Sequence, residues 1–312
     1  MSLFTEGPPA AAPHSLRSIT LGVPDPAPSR DFYAEVWGLS LVESDKDMAW
    51  LRGTGSEHHI LKLQRSAQNS LGMISLAVRT RREIDSAAKR LHELGVPVVR
   101  EPGALNDAGG GYGLHLIDPE GRLVELSCDV HAVARQDTNG HAAIPRKIAH
   151  VVLNTVDIDA ITDFYVRVFG FRISDWSEHQ MAFLRCNSDH HVIAFNQAKW
   201  TSLNHIAYEM PSIDHFMRGL GSLRHHGVSP QWGPGRHGPG DNTFSYFTDP
   251  ANLVCEYTSE VAQVDEDRWL CRTWPRTAVL SDQWGFAGPP SATIRTAMAG
   301  VPDPGRGGTA AA

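Results

Sequence analysis

The 312-residue chain is 41% hydrophobic and 20% charged, a globular composition with length enough for two domains that each bury a core. Its net charge of −7 argues against a nucleic acid or an anionic membrane as partner. Four scattered cysteines with no C-x-x-C pair offer no zinc or disulfide framework and suit a reducing cytoplasm, and no apolar run approaches the ~18 residues that cross a membrane.

In chain order, residues 1–14 lack the basic and apolar regions of a secretory signal and are expected to form a flexible arm, with a cytoplasmic location. A first domain is expected over 15–130, with helices near Arg30–Trp37 and Arg82–Leu94. The polar, turn-rich stretch 131–145 reads as a linker. A second domain is expected over 146–260. Its first helix, Asp159–Phe169, aligns Ile161, Phe164, Tyr165 and Val168 on one face, and Gly170 stops it. Its second helix has Ser212 as N-cap, then an apolar stripe of Ile213, Phe216, Leu220 and Leu223, then Gly227. Residues 261–298 form an extension carrying Trp269, Trp274 and Trp284. That aromatic load predicts packing over a site mouth or at a subunit interface. The Gly/Pro/Ala-rich stretch 299–312 reads as a flexible tail.

The two halves repeat each other. Asp31-Phe32-Tyr33 returns as Asp163-Phe164-Tyr165, Ser56-Glu57-His58-His59 as Ser188-Asp189-His190-His191, and Asp118-Pro119 with Glu125 as Asp249-Pro250 with Glu256. Three unrelated motifs at one near-constant offset indicate duplication. Within each half, a strand, a helix and three strands occur twice. The fold class is therefore α+β, with four tandem βαβββ modules making two domains.

Three ligand-type residues stand in apolar strand-like runs of the second half: His150 in IAHVVL, His205 in LNHIAY and Glu256 in LVCEY. A polar group in a buried strand needs a partner, and two imidazoles with one carboxylate make the facial set that leaves positions open on a non-haem Fe(II). Alone, each has a bland reading as a satisfied core residue; the combination does not. The duplication places Ser18 at the position of His150, Ser75 at that of His205 and Glu125 at that of Glu256. The first half is therefore expected to hold no metal.

This pattern resembles the vicinal oxygen chelate superfamily and, within it, the type I extradiol ring-cleavage dioxygenases, over roughly 15–260. The resemblance implies cupped, mostly antiparallel sheets with outer helices, and Fe(II) at His150, His205 and Glu256, a ligand set that also accepts Mn(II). It implies that FLRCNSDHH, residues 183–191, ends in an acid/base histidine, His191. It implies that His237 and Tyr246 hydrogen-bond the substrate. Val152, Phe183 and Asp241 are expected to border substrate and oxygen, with residues 238–242 as a turn closing over the site. The implied partners are a catechol-type diol and O2, the implied reaction is ring cleavage adjacent to the diol, and the implied assembly is a homo-oligomer. Other outcomes on this scaffold are a lyase or isomerase, a dioxygenase using a 2-oxo acid, and a non-enzymatic binding protein.

Overall fold

A computed structural model describes residues 7–136 and 143–304. The first module runs β1 (Ser15–Val23), α1 (Pro26–Asp31), β2 (Ser40–Ser44), β3 (Met48–Arg52) and β4 (Leu61–Arg65). The second runs β5 (Ser70–Ala77), α2 (Arg81–Glu93), β6 (Val98–Ala104), β7 (Tyr112–Ile117) and β8 (Leu123–Cys128). In the second half β9 (Lys147–Thr155), α3 (Ile158–Phe169), β10 (Arg172–Ser177), β11 (Met181–Arg185) and β12 (Ile193–Gln197) form the third module. The fourth is β13 (Ser202–Glu209), α4 (Ile213–His225), β14 (Trp232–Arg236), β15 (Thr243–Thr248) and β16 (Val254–Ser259). The extension adds β17 (Arg272–Trp274), α5 (Ala278–Ser281) and α6 (Ala292–Ala299). The α+β class and the four βαβββ modules are those expected.

Local chemistry accounts for the helices. Asp157 caps α3 through Ala160 N at 3.0 Å, and Gly170 ends it in the left-handed conformation. Burial of Ile161, Phe164, Tyr165 and Val168 contributes about 1.5–3 kcal/mol per side chain. Ser212 caps α4 through His215 N. The helix expected over Arg30–Trp37 starts earlier: Asp25 caps it, Pro26 opens it, and its last turn, Phe32–Val36, is a π-helix.

Each half is one sheet. The first has order β2-β3-β4-β1-β5-β8-β7-β6, and the second β14-β15-β16-β13-β9-β12-β11-β10-β17. The central strands β9 and β13 are covered on both faces, which is why they read as near-continuous apolar runs. Val151 and Leu153 enter the main core, and His150, Val152 and Asn154 face a cavity on the other side. The core joins the halves: Trp37 lies 3.9 Å from the Tyr257 ring, and the Tyr257 hydroxyl donates to the Trp37 carbonyl at 2.5 Å.

Three expectations need correction. The arm is not loose where it is described: Ala10, Ala11 and Pro13 are buried, and Ala11 N donates to Val168 O at 3.1 Å. The tail residues 299–304 are also held, with Asp303 N donating to Thr201 O at 2.8 Å and Ser202 Oγ to Ala299 O at 2.8 Å. Residues 1–6, 137–142 of the linker and 305–312 of the tail lie outside the described residues.

The third correction concerns register. Ser18 pairs with Ser75 and Ser75 with Glu125, whereas His150 pairs with Ala207 and Ala207 with Glu256. Ser75 is thus the counterpart of Ala207. The counterpart of His205, which pairs with Val152, is Met73, which pairs with Thr20. The first half still has no imidazole at either histidine position. Its Glu125 accepts from Ser75 Oγ at 2.6 Å and meets His115 Nε2 at 3.0 Å.

Candidate metal centre and active site

His150, His205 and Glu256 come from β9, β13 and β16, neighbours in one sheet, and their ligand atoms all lie within 4.8 Å of one another. A bulge in β13 sets the geometry: Leu203 pairs with Leu153 but His205 pairs with Val152, so Asn204 is the extra residue. His205 thereby reaches the cavity face beside His150. The Asn204 side-chain oxygen accepts from His205 Nδ1 at 2.8 Å, which leaves Nε2 as the lone-pair nitrogen.

The electrostatics of this group are unbalanced without a cation. His150 Nε2 and His205 Nε2 lie 3.3 and 3.2 Å from Glu256 Oε2. His205 Nε2 and both Glu256 oxygens are buried without a hydrogen bond among the described residues. A buried carboxylate and imidazole left so would cost several kcal/mol, roughly 1–3 for each unpaired group. Burial pushes the Glu256 carboxyl up, but the two imidazoles outweigh it and hold it at about 2. Burial pushes His205 down, so its imidazole favours the neutral form. An ionised carboxylate and a neutral imidazole are the protonation states that bind a divalent metal. The residues present fit one.

The two histidines open into a cavity of about 600 Å³, with Glu256 buried behind them. Val152, Phe183 and Met181 line the cavity with apolar surface, backed by the fully buried Ala194. Phe183 lies 5.2 Å from the His191 ring, and His191 lies 4.3 Å from that of His150. Burial, then the surrounding His150, His190, His237 and His205, push His191 well below the usual histidine range. His237 is pushed down to about 4, mainly by burial. Its Nδ1 donates to the Ser281 carbonyl at 2.9 Å, so its Nε2 accepts from the Tyr246 hydroxyl at 3.0 Å. Burial and then Glu256 keep Tyr246 protonated, well above the usual phenol range. Trp232 stacks on Tyr246 at 5.0 Å. Lys199, Arg276 and Arg295 also line the cavity.

The structure therefore brings together His150, His205, Glu256, His191, His237, Tyr246, Val152 and Phe183. It leaves Asp241 out. That carboxylate is exposed, takes both its oxygens to Arg236 at 3.0 Å and accepts from Gln283 at 3.1 Å, so it pins the 238–242 turn from outside. Pro239 and Asn242 from the same turn line the cavity instead. The extension packs over the mouth: Pro275, Arg276, Thr277, Leu280 and Ser281 line it, as do Arg295 and Met298 of α6. Sequence reasoning missed Asn204, Trp232, Ser281 and Asp175. Asn204, an amide next to a ligand-type histidine, carried a local signal; the others did not.

A family model described as the Glyoxalase/Bleomycin resistance protein/Dioxygenase superfamily matches residues 15–126 and 147–257. The chain belongs to this superfamily. A solved Mn(II)-bound glyoxalase from Novosphingobium aromaticivorans is 39% identical, with a TM-score of 0.86, over 91% of this chain and 94% of that one. Metapyrocatechase 2 of Cupriavidus necator is 24% identical over 89% of this chain and 92% of its own length. Homoprotocatechuate 2,3-dioxygenase from Brevibacterium fuscum, solved with 3,4-dihydroxyphenylacetate, is 25% identical with a TM-score of 0.82, covering 93% of this chain and 94% of that one. The resemblance to extradiol ring-cleavage dioxygenases read from the motifs thus holds across the chain's length. No described helix is long and apolar enough to cross a membrane.

Proposed function

We propose that this protein is an extradiol dioxygenase of aromatic-compound catabolism, which inserts both atoms of O2 into a catechol-type diol and cleaves the ring beside the hydroxyls. His150, His205 and Glu256 would hold Fe(II). The observation that carries the reading is the pairing of an unsatisfied, buried 2-His-1-carboxylate group with His191, His237 and Tyr246 around one cavity. The donor set also accepts Mn(II), which a solved relative carries. When bound, the metal acidifies the diol and holds diol and O2 in adjacent positions.

The remaining groups divide the work. His191 is neutral and has no hydrogen-bond partner at Nε2 among the described residues, so it can take a diol proton and return it to oxygen as the O–O bond breaks. The proton on Tyr246 is committed to His237, so this pair holds a substrate oxygen by hydrogen bonding at the Tyr246 oxygen. The apolar surface formed by Phe183 and Val152 excludes water where O2 would sit.

A second reading, a lyase or isomerase of the same superfamily, is favoured by one observation: the 39%-identical relative is called a glyoxalase. One experiment separates them. The protein is reconstituted anaerobically with Fe(II) or Mn(II), mixed with a panel of substituted catechols and then exposed to air. Yellow ring-fission product with stoichiometric oxygen uptake is expected, and the metal giving the higher kcat/KM names the cofactor. Absence of both signals with every catechol and either metal removes the dioxygenase reading.

A further inference from the structure

We propose that Asp175 and His190 are positioning residues that fix the tautomer of His191, and that strand β17 of the C-terminal extension holds them in place. The inference rests on the assignment of His191 as the acid/base group.

The three side chains form one buried chain. Asp175 and His190 are fully buried, and His190 Nε2 lies 3.1 Å from Asp175 Oδ2. On the other side of the same ring, His190 Nδ1 lies 3.0 Å from His191 Nδ1. Asp175 accepts two further bonds, from Arg272 N to Oδ1 at 2.9 Å and from Trp274 Nε1 to Oδ2 at 2.7 Å. Burial disfavours its charge, but these donors and His190 outweigh that and keep it ionised. An ionised carboxylate only accepts, so the proton of this contact sits on His190 Nε2. With the ring proton of His190 at Nε2, its Nδ1 lone pair is the acceptor of the 3.0 Å contact, and His191 donates to it from its own Nδ1. The consequence falls at the cavity: His191 Nε2 is left with its lone pair, the form that can accept a proton. Proton arrival at Nε2 leaves the Nδ1–H donating to His190, and its departure restores the neutral ring. The chain is unchanged over a cycle, like the carboxylate that orients the histidine of a Ser-His-Asp triad.

The extension is bound to this device. β17 pairs with β10 through Asp175 opposite Arg272. Trp269 Nε1 donates to Ser174 O at 2.9 Å, and its ring lies 5.3 Å from that of His190. The first half shows the doublet without the device. His58 and His59 approach at 3.3 Å between Nδ1 atoms, but Glu43, at the position of Asp175, is exposed and makes no hydrogen bond to His58 among the described residues.

The test uses the full chain in two states. In the Zn(II)-loaded, diamagnetic protein, long-range proton–nitrogen NMR of histidine rings reads the His191 tautomer without turnover. In the active metal form, kcat and KM are measured. Wild type is expected to show His191 protonated at Nδ1. Asp175→Asn is expected to populate the Nε2–H tautomer, retain metal and lower kcat roughly 10²-fold with KM little changed. Trp274→Phe removes one of the three supporting bonds without a charge change. It is expected to shift the tautomer partly and lower kcat ~3- to 10-fold. If Asp175→Asn does not fold, Trp274→Phe decides. A His191 protonated at Nε2 in wild type, or a tautomer unmoved in the folded variants, overturns the inference whatever the rates. If wild type cleaves no catechol, the proposed reaction falls, and the NMR arm still decides the tautomer relay.

Discussion

The two halves of this molecule share a backbone and differ in how each treats one buried glutamate. In the first half Glu125 accepts from Ser75 and meets His115, and these donors outweigh burial to keep its carboxyl below the ordinary range. In the second half the matching Glu256 has Ala207 and Tyr246 as strand neighbours and, among the described residues, no hydrogen bond to either oxygen. Two imidazoles face it where the first half has Ser18 and Met73. The same carboxylate is therefore satisfied by protein donors in one copy and, in the proposed reading, left for a cation in the other. The fold supplies the position; the residues one and two strands away decide whether it is a structural bond or, in the proposed reading, a metal ligand.

The comparison breaks first at the ligands. His205→Ala or Glu256→Ala is expected to abolish both metal retention and activity, measured by metal content after gel filtration and by oxygen uptake. Retention of stoichiometric metal by either variant would remove that residue from the set. Next in size is His191→Ala, which is expected to keep its metal and lose roughly 10²- to 10⁴-fold in kcat. Metal loss there would mean that His191 itself ligates. Asn204→Ala removes the acceptor that orients His205, so metal affinity in competition with a chelator should fall ~10- to 100-fold with the fold intact.

The smallest effect is expected in the metal-free half. Glu125→Gln should leave metal content and kcat unchanged and lower stability by about 1 kcal/mol near neutral pH. The sign with pH follows from the direction of its shift. Because the folded carboxyl is held below its unfolded value, its contribution is present above the unfolded carboxylate pKa. It is lost as pH falls through the folded value. Urea unfolding of wild type and variant should therefore converge on acidification; a constant gap would point to packing and not to charge.

Much of this was legible before any coordinates. The caps Ser212 and Gly170, the apolar stripe of α3 and the repeated motifs are local signals, and local signals survive in sequence. The triad was legible because a histidine or glutamate inside an apolar strand is a conflict that only a partner resolves. What failed depended on pairing. Both copies carry the same bulge, so strand pairing keeps their offset constant and Met73 holds the place of His205, to which Ser75 had been matched. Asp241 sits in the right turn but points to Arg236, a choice made by the guanidinium and by Gln283 from the extension.

Sequence alone determined the four modules and the α+β class and pointed to the residue types of the proposed metal centre, because each follows from periodicity, capping and local contrast. Only the tertiary structure decided which second-rank groups serve them. Asp175 and Trp274 are 99 residues apart, and His237 and Ser281 are 44 apart, and each pair is joined by one hydrogen bond. No period or motif encodes such a contact. It exists because β17 adds to the edge of the sheet and α5 closes over the cavity, and that docking brings side chains together that the chain order keeps apart.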